Sequence, residues 1–291
     1  MVKIIDTYSK INYLFENGVF NRKRWETYIN SIYDKTSEIL INDVEESLQN
    51  SNYTYEKDIL PILNSVCNHP ALETLHRSFC KVTDGINQKI VNCFGNELNI
   101  DIVLYVGLCN GAGCMANINR RDVILLGIEK ILELNWHDED SMYGLVYHEL
   151  GHAYHNQYGM LNQNSEDNSQ NFVWQLFSEG IAMYFEQALV GDFNYYHQNK
   201  NGWLSYCDNH FEEILLDFSL DLPKMTRSNQ RYFGDWVRYE GYGDVGYYLG
   251  ARFIQHLRGK YTFKDLINMK IGNVYAEYVD FAAEIQKSFS G

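Results

Sequence analysis

Residues 148–152 read His148-Glu149-Leu150-Gly151-His152. On a helix two imidazoles four residues apart share one face and can reach one ion, so this stretch reads as a helix that carries a metal site. The flanks agree. Met142, Leu145, Val146 and Ala153 supply an apolar side, and Ser141 is the expected cap. Glu149 follows the first imidazole, on the side where an activated water would lie. Zinc lowers the pKa of such a water to about 7, and a carboxylate in reach can take its proton. The competing reading of the same five residues is a polar helix surface.

The third ligand decides the kind of site. A third His six residues after His152 would complete a three-imidazole pattern, but that position is Tyr158, and His155 stands where a Gly would be needed. The alternative is a Glu from a following helix. Phe177-Ser178-Glu179-Gly180-Ile181-Ala182 lies in an apolar, aromatic-rich stretch running from Phe172 to Leu189. A carboxylate there is costly unless a cation neutralises it. Glu179 is therefore the expected third ligand, against a plain surface Glu. Gly180 and Ala182 are small enough to let this helix pack closely on the first. Glu186 lies on nearly the same face and reads as exposed, with support of a ligand His as the other reading. His155 reads as a surface His, and His197, His210 and His256 as structural. The polar run from Asn162 to Gln170 reads as an ordinary surface loop.

Outward from the two helices, periodicity changes between 99 and 127. Ile100, Ile102, Leu104 and Val106 alternate, glycines follow at 107, 111 and 113, and Val123–Leu126 is a second apolar run. This predicts two or three strands. Helices are expected over 22–50 and 71–94, and again from about 140 nearly to the end. Helices, then strands, then helices give α+β, mainly helical, with a small mixed sheet. The expected division is an N-terminal helical region at 1–95 and a catalytic domain at 96–291.

The chain has 291 residues, 45% of them hydrophobic and 15% aromatic, enough for a sizeable core. The formal charge of −14 and the lack of a basic stripe argue against nucleic acid and anionic membranes as partners. No apolar run reaches the ~18 residues that span a bilayer, and Met1–Phe20 lacks the pattern of a signal peptide. The six cysteines form no CxxC pair, which fits a reducing, cytoplasmic setting.

His148-Glu149-x-x-His152 followed by Glu179-Gly180-x-Ala182 resembles the gluzincins, zinc metallopeptidases whose third ligand is a Glu. Trp174 is similar to the Trp that often precedes that Glu, though it stands two residues further away. The resemblance implies a thermolysin-like core, zinc as cofactor, a peptide or protein substrate lying along the sheet edge, and Glu149 as general base. Tyr247-Tyr248-Leu249-Gly250 looks like the Tyr-x-x-Gly segment of the aminopeptidase-N-type branch, where a Tyr hydroxyl stabilises the oxyanion. That match implies Tyr247, with Tyr242 and Tyr248 as rivals. Gly113-Cys114-Met115-Ala116-Asn117 is similar to the cleft-lining Gly-x-Met-Glu-Asn of that branch. Ala116 replaces the Glu that holds a free amino end, so the expectation shifts from exopeptidase toward endopeptidase. The closest general likeness is to the predicted bacterial zinc proteases with HExxH and EGxA. Two other readings stand beside the peptidase: a zinc hydrolase of another acyl or amide bond, and a non-catalytic module stabilised by zinc.

Overall fold

The computed structural model describes residues 1–49, 53–234 and 237–289. The chain divides into two compact units, Met1–Glu149 and Leu150–Gly291.

The first unit opens with strand β1 (Lys3–Asp6) and the short hairpin β2 (Phe15–Glu16) and β3 (Val19–Phe20). Five helices follow: α1 (Arg22–Asn30), α2 (Thr36–Gln49), α3 (Leu60–Ser65), α4 (Leu72–Thr83) and α5 (Ile86–Phe94). Then come β4 (Asp101–Tyr105), β5 (Gly113–Ile118), β6 (Arg121–Gly127), α6 (Ile128–Glu133) and α7 (Glu139–Tyr143). The fold is α+β with a small mixed sheet of order β1-β4-β6-β5. β1 and β6 flank β4 in parallel, and β5 returns antiparallel on β6. The β5–β6 turn has Asn119 and Arg120 both at positive φ (52° and 66°), the twist that a two-residue hairpin turn requires.

Several local expectations are corrected here. The helix expected over 22–50 is two helices, and Asn50 lies outside the described residues. Asn30 makes the break: its Oδ1 accepts from the Ser37 amide (3.0 Å) and its amide donates to the Ser37 hydroxyl (2.8 Å), so it closes α1 and caps the start of α2. The helix over 71–94 is also two, parted at Gly85 with φ 64°. β1 was unforeseen, and the glycine-rich turn ending at Gly113 gives way to strand β5. β4 is buried on both faces, Val103 and Tyr105 as fully as Ile102 and Leu104. A parallel strand covered on both sides has no solvent face for an alternating pattern to mark. The helix at 139 is capped by Asp138, whose carboxylate accepts from the Ser141 amide at 2.9 Å, so Ser141 is a partner of the cap and not the cap.

A buried carboxylate fixes the loop after β4. Glu129 is 1% exposed and accepts from the amides of Gly107 (2.9 Å) and Cys109 (3.0 Å). Burial raises its pKa, against these two hydrogen bonds. Asp101, inside β4, is paired with Arg121 and accepts from the Tyr33 hydroxyl.

The second unit contains α8 (Glu149–Tyr158), which starts one residue before the division, then α9 (Asn168–Val190), α10 (Trp203–Asn209) and α11 (Phe211–Asp221). It ends with α12 (Val245–Leu257), α13 (Phe263–Ile267) and α14 (Ile271–Phe289). α9 is the central element: it packs against α12 and α14 and is buried nearly all round, as its continuous apolar sequence demands. Small residues set how close its neighbours come. A Cβ on Gly151 of α8 would stand 2.7 Å from Ala182 Cα and 3.1 Å from Phe185 Cβ. A Cβ on Gly180 would overlap the Gly250 carbonyl of α12, and one on Gly250 would stand 2.5 Å from the Leu176 carbonyl. Ala182 thus faces α8 as expected, whereas Gly180 serves α12. The polar run before α9 is pinned. Ser165 and Asn171 exchange two hydrogen bonds (2.8 and 2.9 Å), and the Trp174 indole N–H donates to the Leu161 carbonyl at 2.9 Å.

His155 is buried, not on the surface. It is 0% exposed, and its ring lies 5.8 Å from Trp174 and 6.0 Å from Phe177. Burial, and then the nearby His152, push its pKa down from 6.5 to about 3.

Two outcomes are expected. Gly151→Ala forces α8 off α9 and lowers stability by about 1–3 kcal/mol, read as an earlier urea midpoint. Below pH 6.5 the unfolded His155 binds a proton that the folded one refuses until about pH 3, so stability falls with pH across that window. The slope is at most about 1.4 kcal/mol per pH unit. His155→Phe in excess chelator is expected to flatten that acid limb; an unchanged limb refutes the assignment.

Candidate metal centre

The chain is helical without interruption from Glu139 to Tyr158, and its middle turn, Gly144–His148, is π-helical. Such a turn widens the helix locally and is frequent where side chains are aimed at a site. The division between the two units falls inside this helix, directly after Glu149. The spacing of His148 and His152 is therefore set by helical geometry alone. His148 is buried at 6% exposure, and Glu149 and His152 are half-buried.

His152 and Glu179 bring ligand atoms together within the second unit, and His148 stands one helical turn before His152 on the same continuous helix. His152 Nε2 and Glu179 Oε2 are 3.2 Å apart. Two bonds of 2.0–2.1 Å meeting at a tetrahedral angle separate their ligand atoms by about 3.3 Å, so the pair is already at the spacing that one ion requires. Both side chains are 18% exposed, enough for an ion and a small reactant to enter. The donors, two imidazoles and one carboxylate, suit zinc among borderline divalent ions. The approach of α8 to α9 at Gly151 and Ala182 is what brings His152 to Glu179.

Behind these ligands lies a second buried carboxylate. Glu186 is 0% exposed, and both its oxygens are 2.9 Å from His197 Nδ1. The expectation that Glu186 is exposed is overturned, and His197, read as structural, is its partner. The signal was present: Glu186 is two helical turns from Glu179 on a helix with no solvent face, so it had to be buried and compensated. A carboxylate beside a ligand imidazole orients it and raises its basicity.

Sequence reasoning gave no sign of Cys114 as a neighbour of Glu149. Burial, and then the charge of Glu149, push the Cys114 thiol up to about 11. Cys114 lies on β5, which pairs only with β6 among the described residues. The carboxylate at Glu149 thus lies in electrostatic range of an open sheet edge.

The three tyrosines differ. Tyr248 is 2% exposed and donates its hydroxyl to Asp208 at 2.7 Å. Tyr242 stacks on Tyr206 at 4.1 Å. Tyr247, half-buried in the first turn of α12, stands edge-on to His197 (6.3 Å) and Phe233 (5.9 Å). Of the nearby arginines, Arg231 pairs with Asp217 and Asp221, and Arg252 lies over the rings of Phe211 and Tyr248.

The six cysteines are free thiols, and among the described residues no helix is long and apolar enough to cross a membrane. Comparison of the chain with protein-family models, with curated proteins and with solved structures finds no match in any of the three.

Proposed function

We propose that this chain is a zinc-dependent hydrolase of the gluzincin kind, a peptidase with a thermolysin-like core. The observation that carries the reading is the meeting of His152 with Glu179, with His148 one helical turn before His152 on the same helix and Glu149 adjoining that first ligand. A bound zinc ion supplies Lewis acidity, which activates water and polarises the carbonyl to be cleaved.

The chain's own residues do the rest. Glu149 takes the proton of the attacking water and delivers it to the leaving amine. Tyr247 donates its hydroxyl to the oxygen that gains charge, the role that the likeness of its Tyr-x-x-Gly segment implies. The outer edge of β5 takes an extended peptide by strand addition, and Cys114, near Glu149, marks where that edge runs past the general base. With Ala116 on that edge there is no carboxylate to hold a free amino end, so internal bonds are the favoured substrates. The free thiols suit a cytoplasmic setting. A carboxylate at 149 also favours catalysis over a zinc-stabilised scaffold, which has no use for it.

The test is metal content measured with cleavage of a broad peptide library. Wild type is expected to hold one zinc at this centre and Glu179→Ala to lose it. Glu149→Gln is expected to keep the metal and lose about 10²–10⁴-fold in rate. Tyr247→Phe is expected to lower kcat by about 10²–10³-fold with little change in KM. Zinc bound without hydrolysis of any peptide defeats the peptidase reading, and full metal retention in Glu179→Ala defeats the ligand set.

A further inference from the structure

The first unit carries a second constellation of metal-ligand type, built from residues remote in sequence from the helix at 139–158. Asp6 ends β1, and His76 and Cys80 stand one turn apart on α4. One carboxylate oxygen of Asp6, one ring nitrogen of His76 and the Cys80 sulfur lie within 4.8 Å of one another. His76 Nε2 is 2.7 Å from Asp6 Oδ2 and 3.5 Å from Cys80 Sγ. We propose that Asp6, His76 and Cys80 form a site for a borderline divalent transition ion of the zinc type, with water completing its shell.

The chemistry distinguishes this from the other reading of a Cys, a His and an Asp. In a nucleophilic triad the thiol and the carboxylate use opposite nitrogens of the imidazole, one receiving the proton and the other holding the ring. Here both converge on the same nitrogen, Nε2, and a ring nitrogen has only one lone pair or one proton to share. Three donors aimed at one point are the arrangement of ligands. Burial, and then the Asp6 charge, also raise the Cys80 pKa, which disfavours a free thiolate nucleophile. A metal displaces that proton: the S–H bond gives way to an S–metal bond, and the proton leaves to solvent.

The distances fit. Bonds of about 2.3 Å to sulfur and 2.0–2.1 Å to nitrogen, meeting at a tetrahedral angle, put the two atoms about 3.5 Å apart, the spacing found between Cys80 and His76. The Asp6–His76 pair must open to about 3.3 Å, a small swing of a carboxylate that is one-third exposed. The supports are in place. Asp6 Oδ1 accepts the Tyr8 amide at 2.9 Å, leaving Oδ2 for the ion, and the Tyr8 ring stacks flat on His76 at 3.8 Å. The mixed S, N and O donors favour zinc or cobalt over calcium or magnesium, which take oxygen alone.

The test uses cobalt(II) added to the full, metal-free chain with a thiol-free reductant. His148, His152 and Glu179 include no sulfur, so a thiolate-to-cobalt charge-transfer band reports on this site alone and is independent of the proposed hydrolase. The band is expected to saturate at one equivalent in Glu179→Ala and by two equivalents in wild type, and to persist in Cys114→Ser. It is expected to vanish in Cys80→Ser. In Asp6→Asn and in His76→Phe, which keeps the stack on Tyr8, half-saturation is expected to move up by about tenfold or more. Near-ultraviolet circular dichroism checks that each variant is folded. Cobalt bound without the band, a band that survives Cys80→Ser, or one that appears only at large molar excess overturns the proposal.

Discussion

The meeting of His152 with Glu179 depends on how closely two helix backbones approach. Gly151 on α8 sits against Ala182 on α9 with no room for a methyl group between them. One residue after Gly151 and three residues before Ala182, His152 and Glu179 meet at 3.2 Å. Larger residues at the crossing would hold the axes apart by more than a carboxylate can reach, and α9 cannot retreat. On another side Gly180 and Gly250 bring it into backbone contact with α12. α9 is clamped by glycines, and the ligand Glu inherits the precision of that clamp.

Buried carboxylates show the same economy in different forms. Glu129 is satisfied by backbone amides and organises the loop after β4. Asp101 is satisfied by an arginine and a tyrosine within the sheet layer. Glu186 is satisfied by histidine. Each removes its desolvation cost by a donor that local structure provides. Glu179, like Glu186, meets an imidazole: its Oε2 lies 3.2 Å from His152 Nε2.

Much was legible because it is local. His148 and His152 are one helical turn apart, and Glu179 stood out as a charge in an apolar helix. Those arguments need only helical spacing and the cost of burial, and the α+β class follows from where the periodicity changes. The same cost, applied consistently, would have exposed Glu186. The breaks at Asn30 and Gly85 were missed because the apolar pattern runs on through them, while a side-chain cap and a left-handed residue end the helices.

What remained for the tertiary structure was everything joined across long stretches of chain. β1 and β4 are partners separated by all the early helices, and no periodic signal in Lys3–Asp6 announces that pairing. Asp6 beside His76 and Cys80 is a meeting of the same sort. Tyr248 was set apart by its hydroxyl bond to Asp208. The sequence by itself determined which residues are chemically fit to hold a metal and which helices carry them, because spacing along a helix is a property of the backbone. Only the tertiary structure decided which donors converge, because that depends on the distance between backbones, and here glycines without a side chain set it.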